Sequence, residues 1–173
     1  ALLIPSQGKE LADAVKELNI PTYVSGMARG LLSKSYLTIF RHERKKALKE
    51  ADLVILAGVP CDFRLDYGRM IHRRAKIITI NLSRSDMYLN RRPARGILTN
   101  PGSFLIELNK SNNNTKQKKW ENWHQKLSER NKKRWNVIKT QADTNIDYVN
   151  PLKLCLAINQ HIEDGDIIVA DGG

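Results

Sequence analysis

The sequence lacks the features that mark extracellular, disulfide-rich and membrane-spanning proteins. Its 173 residues include two cysteines, Cys61 and Cys155, which are too few for a disulfide framework or a cysteine-based metal site. No apolar run approaches the roughly 20 residues of a membrane-spanning helix, and no signal peptide is recognisable. The cysteine content is compatible with a reducing compartment, and we expect an intracellular protein.

A recognisable catalytic constellation is also lacking. The four histidines are scattered over predicted helices, and none has a cysteine or carboxylate at the spacing of metal ligands. The sequence contains no phosphate-binding loop ending in Lys-Ser/Thr, no dinucleotide fingerprint of three spaced glycines and no nucleophile elbow. From the residues alone we predict neither a catalytic nor a metal-binding residue in this chain.

Negative charge is scarce relative to positive charge: 29 lysines and arginines face 18 acidic residues, a formal net charge of +11. This balance admits a module that binds RNA or another anionic surface, with tryptophans of a charged helix at 118–139 as stacking platforms. The basic residues are, however, spread over several predicted helices. Trp120, Trp123 and Leu127 also share one helical face, which favours docking of that helix on the rest of the protein. We therefore favour a solvated basic surface over nucleic-acid binding.

A buried strand that runs into a polar loop is the clearest structural feature present. Leu53–Ala57 is apolar without alternation, which is typical of parallel strands covered on both faces, and its exit loop covers 58–64. A β-branched run at 76–82 predicts another strand. Helices are predicted at 8–19 and 41–50. This alternation predicts an α/β fold with a parallel sheet flanked by helices.

Further elements follow the same alternation. Shorter strands are predicted at 20–25, 96–99 and 167–170, a helix or turn at 65–74, a helical turn at 83–90, and helices at 103–109 and from 150 onwards. Cys155, in the last of these helices, is predicted to be buried.

The polar, asparagine-rich segment 110–116 predicts a domain boundary. We divide the chain into a central α/β domain at 1–110, a linker with a charged helix at 111–149, and the start of a second α/β domain at 150–173. The chain begins without Met and stops directly after a predicted strand. We interpret it as an internal fragment whose first strand is missing.

Parallel sheets bind ligands outside the carboxyl ends of their strands. The loops at 26–30, 58–64 and 81–84 should therefore converge on one edge of the sheet. Gly26 and Gly30 bracket the first loop and would let the backbone approach a ligand, although an ordinary strand-to-helix turn explains the same pattern.

The order of several short motifs resembles the central domain of thiamine-diphosphate-dependent enzymes, in the acetolactate-synthase-like and 2-hydroxyacyl-CoA lyase branch. The motifs are Gly26-Met27-Ala28-Arg29-Gly30, Arg44 followed by Ala47-Leu48, Ala51-Asp52 through Gly58, Asp62, and Tyr67-Gly68. The resemblance covers essentially the whole chain. It implies a Rossmann-like central domain followed by the start of the C-terminal cofactor-binding domain.

This resemblance implies that the parent protein is a thiamine-diphosphate- and Mg²⁺-dependent carbon–carbon lyase of the 2-hydroxyacyl-CoA lyase type. An acetolactate-synthase-type carboligase acting on 2-oxo acids is the alternative. The resemblance further implies a small-molecule substrate, a homodimer or homotetramer, and attachment to the endoplasmic reticulum membrane through a segment outside this chain. It places the catalytic glutamate and the metal-binding motif outside these residues, so we expect the fragment alone to be inactive.

The resemblance also assigns ligand-facing positions. The thiamine diphosphate side is matched by Asp171, Gly172 and Gly173. An adenine-nucleotide side is matched by Gly26, Met27, Ala28, Arg29, Gly30, Arg44, Gly58, Asp62 and Asn81. Two departures concern the nucleotide: Pro60 stands where the synthases have an arginine, and Asn81 stands where an acidic residue usually takes the ribose. These departures argue against FAD and leave ADP as the nucleotide to test.

Overall fold

A computed structural model describes residues 7–32, 38–112, 120–163 and 166–169. The chain divides into two compact units, Ala1–Asn131 and Lys132–Gly173. The helices are α1 (Gly8–Leu18), α2 (Arg44–Glu50), α3 (Arg84–Met87), α4 (Pro101–Ser111), α5 (Glu121–Ala142) and α6 (Pro151–His161). The strands are β1 (Leu53–Ala57), β2 (Lys76–Asn81) and β3 (Arg95–Leu98), and short 3₁₀ segments span Gly26–Gly30 and Phe63–Gly68.

The sheet lies in the first unit and is parallel, with strand order β1-β2-β3. Ile77 and Ile80 of β2 point to opposite faces because they are an odd number of residues apart, yet they are only 2% and 0% exposed. Both faces of the central strand are therefore covered, as a parallel sheet requires. The predicted α/β fold is confirmed, and the strands predicted at 53–57, 76–82 and 96–99 are confirmed to within one residue at each end.

The strand predicted at 20–25 is wrong as a regular strand. Thr22 forms an isolated parallel bridge with Ile39, and Phe40 N–H donates to the Thr22 carbonyl at 2.9 Å. Pro21 has no N–H to donate, so the pairing cannot extend through it. The result is a single bridge in an extended segment.

Helices α1 and α4 pack together beside the sheet. Leu11 and Val15 of α1 and Ile106 of α4 belong to one buried cluster. Asn100 caps the amino end of α4, since its side-chain oxygen accepts hydrogen bonds from two N–H groups of the first turn. The amphipathic pattern predicted for α1 is confirmed by this burial.

A second buried cluster supports the loop that leaves β1. It joins β1 and β2 to the residues after β1, and its members include Val54, Leu56, Cys61, Leu65, Ile71 and Ile77. The loop therefore rests on the core through its own apolar side chains.

The first half of α5 packs on the first unit. Leu127 is 1% exposed and lies in a cluster with Phe40 and Ala47, against which Trp123 packs. Trp120 is 40% exposed, because it precedes the first helical residue and does not share that face. The docking interpretation is confirmed for Trp123 and Leu127 and is wrong for Trp120.

Polar contacts reinforce this docking. The Glu50 carboxylate, at the end of α2, accepts Lys126 Nζ at 2.8 Å and Arg130 Nη2 at 2.7 Å. These two hydrogen bonds hold the pKa of Glu50 below its usual value. The Asn131 side-chain oxygen accepts the backbone N–H groups of Arg41 and His42, each at 3.2 Å.

The second unit contains the end of α5 and helix α6, which Asn150 caps with its side-chain oxygen. The burial predicted for Cys155 is wrong: its side chain is exposed, as no residue of α6 is buried. Across the described ranges, every helix is either too short or too polar to cross a lipid bilayer.

The strand predicted at 167–170 is not found in its described part. Residues 166–169 have no regular secondary structure, and Ile167 and Val169 are 90% and 92% exposed. A strand forms by pairing with a neighbour, and the described residues of this unit offer none. Ala170 lies outside the described residues.

Candidate functional site

The candidate site is the carboxyl edge of the sheet, where β1 and β2 end. Gly58 follows β1 directly with φ of 71°, in the left-handed region that favours glycine. Its N–H donates to the Ile80 carbonyl at 2.8 Å. The loop at 58–64 therefore leaves β1 beside the end of β2, close to the loop at 81–84.

Asp62 and Arg64 form an ion pair within the first of these loops. The Asp62 carboxylate accepts the Arg64 backbone N–H at 2.9 Å and also its Nε and Nη2 groups. Hydrogen bonding to Arg64 holds the pKa of Asp62 below its usual value, and the same contact raises the pKa of Arg64. Because Arg64 compensates the charge of Asp62, the Asp62 side chain stabilises the conformation of this loop.

Arg44 reaches the same loop from the first residue of α2. Its Nη2 donates to the Arg64 carbonyl at 2.8 Å, and its guanidinium keeps further N–H donors. Arg44 and Asp62 are therefore brought together through Arg64. Sequence reasoning missed Arg64, and its position in the loop after a buried strand is the signal that could have found it.

Asn81 is buried at the end of β2, with 5% exposure. Its side-chain oxygen accepts the Ser83 N–H at 3.2 Å, and its carbonyl accepts the Thr99 N–H at 3.1 Å. Asn81 therefore joins the exits of β2 and β3, and its side chain is engaged within the protein.

The glycine-bracketed segment forms the 3₁₀ turn Gly26–Gly30. Ala28 is buried and Arg29 is exposed. A β-carbon added at Gly26 or Gly30 would have no atom within 4 Å, so the space beside both glycines is open. Among the described residues, no hydrogen bond or ion pair joins this segment to Arg44 or to the loop that contains Asp62. The Met27 side chain lies outside what the structure describes, as do Asp171, Gly172 and Gly173.

Two aromatic side chains at this edge were missed by sequence reasoning. Phe63 and Tyr67 are 72% and 53% exposed, and the Arg64 guanidinium carbon lies 5.8 Å from the centroid of the Phe63 ring. Cys61 beside them is buried, and this burial raises the pKa of its thiol. The edge thus offers guanidinium donors and aromatic faces, which suit an anionic or planar ligand.

A metal site is not formed by the part of the chain that the structure describes. No three His, Cys, Asp or Glu residues in the described ranges come together in a group that could hold a metal ion.

Comparison with known proteins gives a family match over most of the first unit. The model for the central domain of thiamine pyrophosphate enzymes (thiamine pyrophosphate is thiamine diphosphate) matches residues 4–108. This match includes the sheet and the loops of the candidate site.

Several relatives match along the whole chain. A zebrafish (Danio rerio) 2-hydroxyacyl-CoA lyase 2 is 38% identical over 178 residues, and a Xenopus laevis 2-hydroxyacyl-CoA lyase 2 is 40% identical over 185 residues; each match covers 100% of this chain and 28% of the relative. A probable acetolactate synthase of Mycobacterium bovis is 41% identical over 64 residues, which cover 37% of this chain and 12% of the relative. The chain thus spans about 28% of the length of the lyases it matches.

Proposed function

Because this chain belongs to the thiamine pyrophosphate enzyme family, we propose that the protein containing it is a thiamine-diphosphate- and Mg²⁺-dependent lyase that cleaves a carbon–carbon bond of 2-hydroxyacyl-CoA. The observation that carries this proposal is similarity to 2-hydroxyacyl-CoA lyases along the entire chain. Similarity to an acetolactate synthase covers 37% of the chain. A carboligase acting on 2-oxo acids is therefore the second candidate.

Thiamine diphosphate, when bound, supplies a thiazolium that stabilises the carbanion left by bond cleavage. We assign Asp171, Gly172 and Gly173 to its side of the protein on the strength of the family resemblance. Mg²⁺ is assigned to parts of the protein beyond these 173 residues. In this proposal the described residues support the catalytic site and do not perform the chemistry.

The carboxyl edge of the sheet is proposed as an adenine-nucleotide site. Arg44 keeps free donors for a phosphate, and Gly26 and Gly30 have open space above their backbone. Asp62 and Asn81 are engaged within the protein, so they hold the loops in place. We favour ADP over FAD at this edge.

Nucleotide binding can be tested on the chain itself. Arg44→Gln removes the positive charge and the guanidinium fork while leaving the sheet intact. It should weaken ADP binding about tenfold in calorimetry, since a hydrogen bond to a charged group contributes roughly 1.5 to 3 kcal/mol. Lys45→Gln removes the same charge from the neighbouring residue and should change affinity by less than about twofold. Equal effects of the two variants would contradict a nucleotide site at Arg44.

The activity is tested on the full-length protein. With thiamine diphosphate and Mg²⁺ present, 2-hydroxyacyl-CoA should give an aldehyde, and pyruvate should give no acetolactate. The opposite pattern would favour the carboligase. A protein inactive on both substrates that binds RNA with a steep salt dependence would favour the basic binding module.

Substrate, assembly and location follow the same proposal. We expect a small-molecule substrate and a homodimer or homotetramer, which light scattering of the full-length protein checks. Attachment to the endoplasmic reticulum membrane is supported by the family resemblance alone, and cell fractionation tests it.

A further inference from the structure

The amino ends of β2 and β3 border a cavity at the edge of the sheet opposite the candidate nucleotide site. The cavity has a volume of about 630 Å³. Four of its eight lining residues are cationic, namely Arg73, Lys76, Arg91 and Arg92. The others are small or apolar, so all the charged residues that line the cavity are positive.

The charge of this cavity is not neutralised by the ion pairs found among the described residues. Those pairs engage other cations, for example Arg69 with Asp66 and Arg64 with Asp62. Asp52 lies at the same edge, where its main-chain carbonyl accepts the Lys76 N–H at 2.8 Å, but its carboxylate is in none of the ion pairs found among the described residues. Four like charges at one concave surface repel one another and favour an anionic ligand.

Arg91 lines the cavity and is hydrogen-bonded to the main chain. Its Nη1 donates to the carbonyls of Gly68 at 3.0 Å and Ile71 at 3.5 Å, and its Nη2 donates to the His72 carbonyl at 3.5 Å. These bonds use three of the five guanidinium N–H groups, so two remain. A guanidinium fixed in this way loses little freedom when it binds a ligand.

We propose that this cavity binds a phosphate group carried by a soluble phosphate ester or by the headgroup of an acidic phospholipid. Phosphate offers several oxygens that match the fork of an arginine, and it carries enough charge to face several cations together. None of the eight lining residues is aromatic, so the cavity has no platform on which a nucleic-acid base would stack. This inference is independent of the lyase activity, because it concerns the opposite edge of the sheet.

Calorimetry of the full chain with tripolyphosphate tests the proposal. The triple variant Arg73→Gln, Lys76→Gln, Arg92→Gln leaves the structural contacts of Arg91 in place and should weaken binding by at least about tenfold. The matched control Lys132→Gln, Lys133→Gln, Arg134→Gln removes three charges from an exposed run of α5. It should weaken binding by less than about twofold.

A second measurement distinguishes a lipid headgroup from a soluble phosphate ester. Sedimentation with phosphatidylcholine vesicles that contain about a third phosphatidylserine reports lipid binding. Loss of vesicle binding in the cavity variant but not in the control supports a lipid headgroup, whereas loss confined to tripolyphosphate supports a soluble ester.

Several results would overturn the proposal. Equal weakening by the two triple variants would overturn it, because it would indicate that binding depends on diffuse surface charge. Binding of RNA without binding of either phosphate probe would also overturn it, as would failure of the unmodified chain to bind either probe. Circular dichroism checks that each variant is folded. If the cavity triple is unfolded, Arg92→Gln alone replaces it, with an expected weakening of about threefold against an unchanged Arg134→Gln.

Discussion

At the scale of single residues, the Arg91 side chain packs against Gly68 where a larger residue would not fit. Gly68 has φ of 81°, and a β-carbon there would overlap with Arg91 Cγ. Gly68→Ala therefore adds both a left-handed backbone cost and a clash with a side chain fixed by three carbonyls. We expect a loss of about 2 kcal/mol or more in the free energy of unfolding, measured with urea.

Gly30→Ala is the matched control for this change. A β-carbon at Gly30 would meet nothing within 4 Å, so the unfolding free energy should change by less than about 0.5 kcal/mol. Equal destabilisation by the two substitutions would show that the fit between Gly68 and Arg91 has no special importance.

Tyr23 makes the free energy of unfolding depend on pH in the alkaline range. Burial raises the pKa of Tyr23 from 10.0 to about 12, so its neutral form is favoured in the folded state. This contribution is complete below pH 10, where both states are protonated, and it is lost as pH rises towards 12 because the unfolded chain ionises first. The difference in unfolding free energy between the unmodified chain and Tyr23→Phe should therefore shrink from about pH 9 to about pH 12. A difference that stays constant would contradict this assignment.

The positions of Gly58, Asp62 and Asn81 at the ends of β1 and β2 were predictable, but their partners were not. Glycine after a buried strand predicts a ligand loop, and Gly58 occupies the expected place. Nothing in the sequence indicates that Arg64 would compensate Asp62, or that the amide of Asn81 would turn towards Ser83. Such pairings depend on where the loops lie in space, which local patterns do not specify.

At the scale of elements, the first half of α5 behaves as part of the central unit. Leu127 is 1% exposed in a cluster with Phe40 and Ala47. Leu127→Ala should lower the unfolding free energy by about 2 to 5 kcal/mol, because it leaves a cavity in a buried cluster. Hydrogen exchange in α2 should accelerate in parallel, since Ala47 lies in that helix.

Val137→Ala provides the comparison within the same helix. Val137 is 39% exposed, and its truncation should cost less than about 1 kcal/mol. If Leu127→Ala cost as little as Val137→Ala, the helix would be a solvated linker along its whole length. We retain the boundaries at 110 and 149 as a proposal, to be tested by limited proteolysis.

Elements with internal periodicity were predictable, and elements that depend on neighbours were not. The apolar run of β1 and the amphipathic stripe of α1 specify their burial directly. The segments at 20–25 and 167–170 have strand-like composition, but the first is interrupted by Pro21 and the second has no described neighbour. The exposure of Cys155 has the same origin, since a helix buries a face only where another element covers it.

At the scale of the whole molecule, binding and catalysis should be separable. The 173-residue chain spans about 28% of the length of its lyase relatives, and its described residues form no metal site. With thiamine diphosphate and Mg²⁺ it should release no aldehyde from 2-hydroxyacyl-CoA, while the full-length protein should do so.

The same chain should nevertheless respond to ADP. A ligand that binds the folded state raises its stability by mass action, by about 2.7 kcal/mol at a hundredfold excess over the dissociation constant. A higher unfolding midpoint with ADP, together with no turnover, would assign this part of the protein to support and binding. Turnover by the chain alone would require catalytic groups within it and would refute that division, whereas an unchanged midpoint would refute the nucleotide site and leave the division intact.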